Sequence, residues 1–223
     1  YKKFPKGIDD MIFINVYVPN ILAKWATKNK VKKFIYASSG GVYGGSTYPL
    51  KESSQVQADT NLGFYLNTKI SSEMLLKNYL NKFMSIIIIR PFFIYGLGQK
   101  KDRLFPQLIS NIKNNKEINI DGKDGIKLNP IYATDAAKAL ANILNVKNIF
   151  TINIAGDLTL TLRELLFMIG DELGKKPIIK NNKYTKNGLV ADTKLMREKL
   201  FIPKVDLKTG INKMLNKFIN DKY

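Results

Sequence analysis

Apolar residues recur three and four apart at Met11, Ile14, Val18, Ile21, Leu22 and Trp25. That spacing predicts an amphipathic helix over about 9–29, with Pro19 kinking it or marking its early part. Val31 to Ala37 predicts a short strand running into a Ser-Gly turn, Ser38-Ser39-Gly40-Gly41. Residues 44–60, rich in Gly, Ser, Thr, Pro and Asp, predict a loop. A second helix is expected over about 61–82, through Tyr65, Lys69, Glu73, Leu76 and Leu80. The unbroken run Ile86–Ile89 predicts a strand buried on both faces of a parallel sheet, ending at an Arg90-Pro91-Phe92 turn. Further along, about 103–114 reads as helix and 117–120 as strand. Asn129–Asp135 is expected to be extended, passing into a helix at about 134–145, and Ile149–Ile154 alternates like a strand. Thr161-Leu162-Arg163-Glu164 predicts a capping box opening a helix to about Leu173, with Gly174 as its stop. Asp192 and Asp206 are candidate caps for two last helices.

Helices alternating with buried strands predict an α/β fold with a doubly wound parallel sheet, and about 100–190 reads as a smaller α+β lobe. In such sheets ligands bind beyond the carboxyl ends of the strands. The Ser38–Gly41 and Arg90–Phe92 turns are both expected there.

Composition narrows the chemistry. The chain has neither Cys nor His. Disulfides, thiolate-held metal, a Cys nucleophile and a His base are therefore excluded, and no metal site is expected. Proton chemistry is left to Tyr, Lys, Asp, Glu or Ser. No apolar run approaches the ~20 residues of a membrane helix, so no membrane partner is expected. The net charge of +18 raises a nucleic-acid reading. The cations are almost all Lys, with Arg only at 90, 103, 163 and 197, and they are spread along the chain. Base readout favours Arg, so no nucleic-acid partner is expected.

Tyr65 and Lys69 lie four apart on a predicted helix and share one face. An ammonium near a phenol favours the phenolate, and a Tyr tuned that way can exchange protons near neutral pH. Ser39, at the end of a predicted strand, could hydrogen-bond the same substrate oxygen, though serines in a turn also serve the turn itself.

Four segments carry a resemblance: Phe34–Gly44 (FIYASSGGVYG), Phe64–Glu73 (FYLNTKISSE), Ile88–Gln99 (IIRPFFIYGLGQ) and Asn129–Leu140 (NPIYATDAAKAL). In this order and spacing they resemble the extended short-chain dehydrogenase/reductase family, in particular its NAD-dependent epimerase/dehydratase group typified by UDP-glucose 4-epimerase. The resemblance implies that residues 1–100 form the C-terminal part of a Rossmann-like NAD(P)-binding domain. Residues 101–223 would then be mainly a substrate-binding lobe. It implies Tyr65 as catalytic acid/base, Lys69 as its partner and ligand of the nicotinamide ribose, and Ser39 as the residue that orients the substrate. Asn15 would support the site from the preceding helix. Ala37, Ser38, Tyr65, Lys69, Pro91 and Phe92 would line an NAD or NADP cofactor. Ser39, Gly40, Phe93, Arg103, Leu104 and Ile120 would face a nucleotide-sugar substrate. The family's paired helices imply a homodimer through 9–29 and 61–82, and its members imply a cytoplasmic location.

The chain also departs from the pattern. No Gly-x-x-Gly-x-x-Gly turn is present, which implies a chain lacking the N-terminal dinucleotide-binding part, truncated and inactive alone. The strand at 31–37 is then expected to present an open edge. Phe93 replaces the family's Asn, and Leu128 replaces a phosphate-gripping Arg. Gly40 and Gly41 stand where 4,6-dehydratases carry an acid pair. The expectation is therefore an NAD(P)-dependent epimerase or related reductase. The alternative is a non-catalytic remnant or cofactor-sensing module of the same fold.

Overall fold

Ser85–Pro91 (β2) is the spine of the molecule, with Ile86, Ile87, Ile88 and Ile89 all buried. Each buried Ile contributes roughly 1.5–3 kcal/mol of hydrophobic stabilisation. The computed structural model describes residues 6–56, 58–80, 82–146, 151–183 and 187–220. Tyr1–Pro5, and Ile149 and Phe150 of the expected last strand, lie outside the described residues.

β2 pairs in parallel with Lys33–Ala37 (β1) from Lys33↔Ser85 to Ala37↔Ile89. On its other side it pairs in parallel with Thr151–Ile154, the strand numbered β7 below. The sheet order is β1-β2-β7, so β1 is an edge among the described residues, with Ile35 exposed. A Lys33 anchor ties this edge to a distant segment. Its ammonium donates to the carbonyls of Ile143, Leu144 and Val146 at 3.0, 2.6 and 2.8 Å.

Ahead of β1 come α1 (Ile8–Ile12), a π-helical turn at Phe13–Tyr17 and α2 (Val18–Lys28). Pro19 is the second residue of α2, but helical backbone runs into it from the π turn, so its missing N–H falls within a continuous helical stretch. Here the expected apolar face is reversed. Ile14, Ile21, Leu22 and Trp25 are exposed, and Asn15, Pro19, Ala23 and Ala26 face inward with Met11. Small residues let this helix lie close to α3 (Phe64–Leu80), leaving the large ones outside. On α3, Met74, Leu75 and Tyr79 are exposed as well.

Beyond β2 lie β3 (Ile94–Tyr95), α4 (Leu104–Lys113), β4 (Ile118–Asp121), β5 (Lys127–Leu128), β6 (Ile131–Tyr132) and α5 (Ala133–Asn142). β7 (Thr151–Ile154), β8 (Leu160–Thr161), α6 (Leu162–Leu173), β9 (Ile179–Asn182), α7 (Lys194–Lys199) and α8 (Leu207–Asn220) follow. The sheet thus takes its third strand from well past residue 100. The lobe core brings Phe105, Leu108, Ile109, Ile112, Leu165, Ile169, Ile211 and Met214 together.

Thr161 and Glu164 form the expected capping box, and Gly174 ends α6 in the left-handed region. Asp206 accepts from Thr209 N at 2.8 Å and caps α8. Asp192 accepts from Lys194 N at 2.9 Å, while Thr193 holds the cap position of α7. Asp135, expected only as part of a motif, accepts the backbone N–H groups of Lys204 and Val205 at 2.7 Å each.

Candidate active site

β1 ends at Ala37, and the chain turns through Ser38 and Ser39 into a 3-10 turn at Gly40–Tyr43. Ser39 Oγ caps that turn, accepting from Gly41 N at 3.1 Å. Its ordinary turn role is therefore filled in this structure. Gly40 is required by packing: a Cβ there would meet the Phe92 ring at 2.5 Å. A Cβ on Gly41 would touch Leu66 at 3.0 Å.

Opposite this turn, α3 presents Tyr65 and Lys69. Lys69 Nζ donates to the Ala37 carbonyl at 3.0 Å. It stands 5.1 Å from the centre of the Tyr36 ring and 5.8 Å from that of Tyr65. Burial lowers the Lys69 pKa. Burial also raises that of Tyr65, opposed by the positive charge of Arg103. The ammonium is drawn to Ala37, and the opposing charge comes from the start of α4.

Tyr65, Lys69, Ala37, Ser38, Ser39, Gly40, Pro91 and Phe92 thus belong to two adjoining strand ends and the helix over them. The other expected ligand residues are more scattered. Phe93 and Leu104 pack against the lobe core, and Ile120 lies within it, 1 % exposed. Ile120 presents no surface to a ligand. Arg103 is exposed ahead of α4.

A buried polar layer under the turn was not foreseen. Arg90, expected in a turn, is the sixth residue of β2 and 3 % exposed. Its Nε and Nη2 bind Glu73 Oε1 and Oε2 at 3.0 and 2.5 Å. Burial alone would raise the Glu73 pKa, but the guanidinium outweighs it and holds the carboxyl below its usual range. Arg90 lies 4.6 Å from the centre of the Tyr43 ring, which stacks on Phe92 with centroids 6.1 Å apart. Tyr43 Oη donates to Asn153 Oδ1 at 2.9 Å. Asn153 in turn donates its backbone N–H to Glu52 and its side-chain amide to the Leu50 carbonyl. The available signal was Glu73, one turn beyond Lys69 on the same face, with Arg90 among only four arginines.

Asn15 is also placed here. Its Nδ2 donates to Thr68 Oγ1 at 3.1 Å, and Thr68 Oγ1 donates to the Tyr65 carbonyl at 2.7 Å.

A Tyr/Lys helix over the carboxyl ends of parallel strands, facing a Ser turn, defines a short-chain dehydrogenase/reductase. Residues 5–155 match the model of the NAD dependent epimerase/dehydratase family. The chain belongs to that family. It is 30% identical over 136 residues to human dTDP-D-glucose 4,6-dehydratase, covering 60% of this chain and 38% of that protein. It is 32% identical over 223 residues to Escherichia coli dTDP-4-dehydro-6-deoxyglucose reductase, covering 94% of this chain and 69% of the relative. Among solved structures it resembles UDP-glucuronic acid 4-epimerase from Bacillus cereus in complex with UDP-glucuronic acid and NAD, at 27% identity and a TM-score of 0.82. That match covers 94% of this chain and 68% of the epimerase.

The family is NAD-dependent, and the residues present fit one end of that cofactor. Lys69 Nζ carries three donors, and its bond to the Ala37 carbonyl uses one, so it can also serve ribose hydroxyls. No glycine-rich turn for a pyrophosphate lies in these 223 residues. Among the described residues, no helix is long and apolar enough to cross a membrane.

Proposed function

We propose that this chain is the nicotinamide and substrate side of an NAD-dependent epimerase or related reductase for a nucleotide-activated sugar. Lys69 and the Ala37 strand end would hold the nicotinamide ribose, with Pro91 and Phe92 beside the ring. Bound there, the cofactor supplies hydride transfer. Tyr65 would take the proton from the reacting sugar hydroxyl, or return it to the carbonyl oxygen. Ser39 would turn its O–H to the same oxygen while its lone pair keeps the Gly41 bond. Arg103 would meet substrate phosphate, and Lys69 would keep positive charge beside the phenol.

The observation that carries this reading is Lys69, held to Ala37 between the Tyr36 and Tyr65 rings, beside the Ser39 turn. The same turn favours epimerase or reductase over dehydratase chemistry. Water elimination needs an acid and a base beside the reacting carbons. Gly40 has no room for a side chain, Glu73 is committed to Arg90 and Glu52 to Asn153.

We further propose a homodimer in which the exposed apolar face of α2 and α3 meets its copy, and a cytoplasmic location. The 223 residues alone would bind NADH weakly, since they hold no pyrophosphate turn. Tight stoichiometric binding to the isolated chain would overturn that part.

The test is turnover of UDP- and dTDP-hexoses by the full-length protein with NAD or NADH, comparing wild type with Tyr65→Phe. Loss of about a hundredfold or more is expected when the proton-transfer group is removed. Unchanged turnover in the variant would sink the assignment.

A further inference from the structure

The carbonyl of Asn15 collects bonds from two other elements. Ser72 Oγ donates to it from α3, and Tyr36 Oη donates to it from β1 at 3.3 Å. The reason lies in the sequence. An α-helical carbonyl at position 15 would accept from the N–H of position 19, and Pro19 has none. The chain adopts a π turn at Phe13–Tyr17 instead, in which Val18 N–H reaches back five residues to the Phe13 carbonyl. Asn20 Nδ2 occupies the next carbonyl, that of Val16, at 2.7 Å.

All participants are buried. Ser72 is 0 % exposed, Tyr36 5 %, Thr68 6 % and Asn15 8 %. A buried carbonyl without its helical donor must be satisfied by other groups, and here Ser72 and Tyr36 supply them. Burial pushes the Tyr36 hydroxyl up to about 12, so it stays a donor across the working pH range.

The bonds run in one direction, toward the proposed proton-transfer residue. The Asn15 side chain holds Thr68, and Thr68 holds the Tyr65 carbonyl. Next to Tyr36, the Ala37 carbonyl holds Lys69. The carbonyl and side chain of Asn15 together therefore join the π turn, α3 and the end of β1.

We infer that Ser72, Tyr36 and Pro19 are positioning residues. Together they turn and hold the Asn15 carbonyl so that α3 carries Tyr65 and Lys69 at a fixed depth over the strand ends. This inference rests on the reading of Tyr65 as the proton-transfer group. Depth matters because such a group must reach within hydrogen-bonding distance of its partner, and about 1 Å of misplacement can cost on the order of a hundredfold in rate.

The test reads Tyr65 itself, without substrate or cofactor. Tyrosine labelled with 13C at Cζ reports the ionisation of each phenol by NMR, and Tyr65→Phe assigns the resonance. The titratable or charged groups facing Tyr65 are Tyr36 on β1, Lys69 on α3 and Arg103 ahead of α4. Ser72→Ala and Pro19→Ala remove none of them. Ser72→Ala deletes one donor, and Pro19→Ala supplies a backbone N–H that competes for the Asn15 carbonyl.

In both variants Tyr65 is expected to become less buried and to titrate lower than in wild type, by about half a pH unit or more. Ser72→Thr, which keeps the hydroxyl, is expected to restore the wild-type curve. Ser71→Ala, one residue away with its Oγ on the Asn67 carbonyl, is expected to leave it unchanged. If Ser72→Ala does not fold, Pro19→Ala carries the test. A lowered melting temperature with an unmoved Tyr65 curve in the folded variants would overturn the inference. Turnover of the full-length protein separates the two claims. A shifted curve without Tyr65-dependent turnover removes the functional reading and leaves the anchor standing. Tyr65-dependent turnover with an unmoved curve does the reverse.

Discussion

The sheet face beneath α2 and α3 and the C-terminal lobe of this protein are held together by different forces. The lobe core is built from apolar side chains such as Phe105, Leu108, Ile109, Leu165 and Ile211. The packing of α2 and α3 on β1 and β2 has a small apolar cluster of Ala23, Tyr36, Leu76, Ile86 and Ile88. Around it lie Asn15, Ser38, Thr68, Ser72, Glu73 and Arg90, all buried and polar. Apolar packing is tolerant of exchange at constant volume, whereas a buried polar layer must be satisfied partner by partner. The face of the sheet beneath Tyr65 and Lys69 is thus the one rich in directional bonds, while its other face packs Ile87, Ile89, Ile152 and Ile154 in a second apolar cluster.

The largest expected break in this comparison is Arg90→Leu, which takes from the buried Glu73 carboxylate its two-bond partner and leaves Lys77 at 3.7 Å. We expect a loss of about 3–5 kcal/mol in urea unfolding, most of it recovered when Glu73→Leu is added. If the single variant unfolds like wild type, the polar layer is not what holds that face of the sheet. On the lobe side, Ile109→Ala should cost about 2–5 kcal/mol. It should leave the Tyr65 titration in place, since Ile109 belongs to the lobe core and Tyr65 does not. Movement of that titration would erase the distinction between the two regions.

A third prediction uses acid. The Glu73 carboxyl is held below its usual range by Arg90 after burial has pushed the other way. Its contribution is complete at neutral pH and drains away as pH falls below the ordinary carboxylate pKa toward the lower folded value. Wild type should therefore lose stability below about pH 4 more steeply than the Arg90→Leu, Glu73→Leu double variant. Equal acid slopes would count against it. The smallest effect is expected from Thr161→Ala, which removes the capping box of α6 and should cost about 1 kcal/mol in the same unfolding experiment.

The two regions were also unequally legible. Lobe helices such as α4 and α6 could be read from apolar spacing and from the Thr161, Glu164 and Gly174 signals, because packing and capping there follow local rules. Tyr65, Lys69 and Ser39 were legible through chemistry and family resemblance. The orientation of α2 was not, because its large apolar residues point outward and its small ones inward. Nor was the location of Arg90 within a strand, since this buried cation is held by partners distant in sequence, Glu73 17 positions away and the Tyr43 ring. Ile120 was misplaced for the converse reason. A strand residue alternates between core and surface, and its register puts it in the core.

The Lys33 anchor has a consequence for chemical labelling. Its three N–H bonds are spent on three carbonyls, so its nitrogen must leave that cradle before it can attack an electrophile. Lys69, whose pKa is lowered by burial, offers its free-base form more readily wherever a reagent can reach it. In a chain crowded with lysines, amine-reactive reagents read by mass spectrometry should mark Lys33 among the slowest in the native protein. Its sudden reactivity would then report the moment the edge strand lets go of the segment after α5.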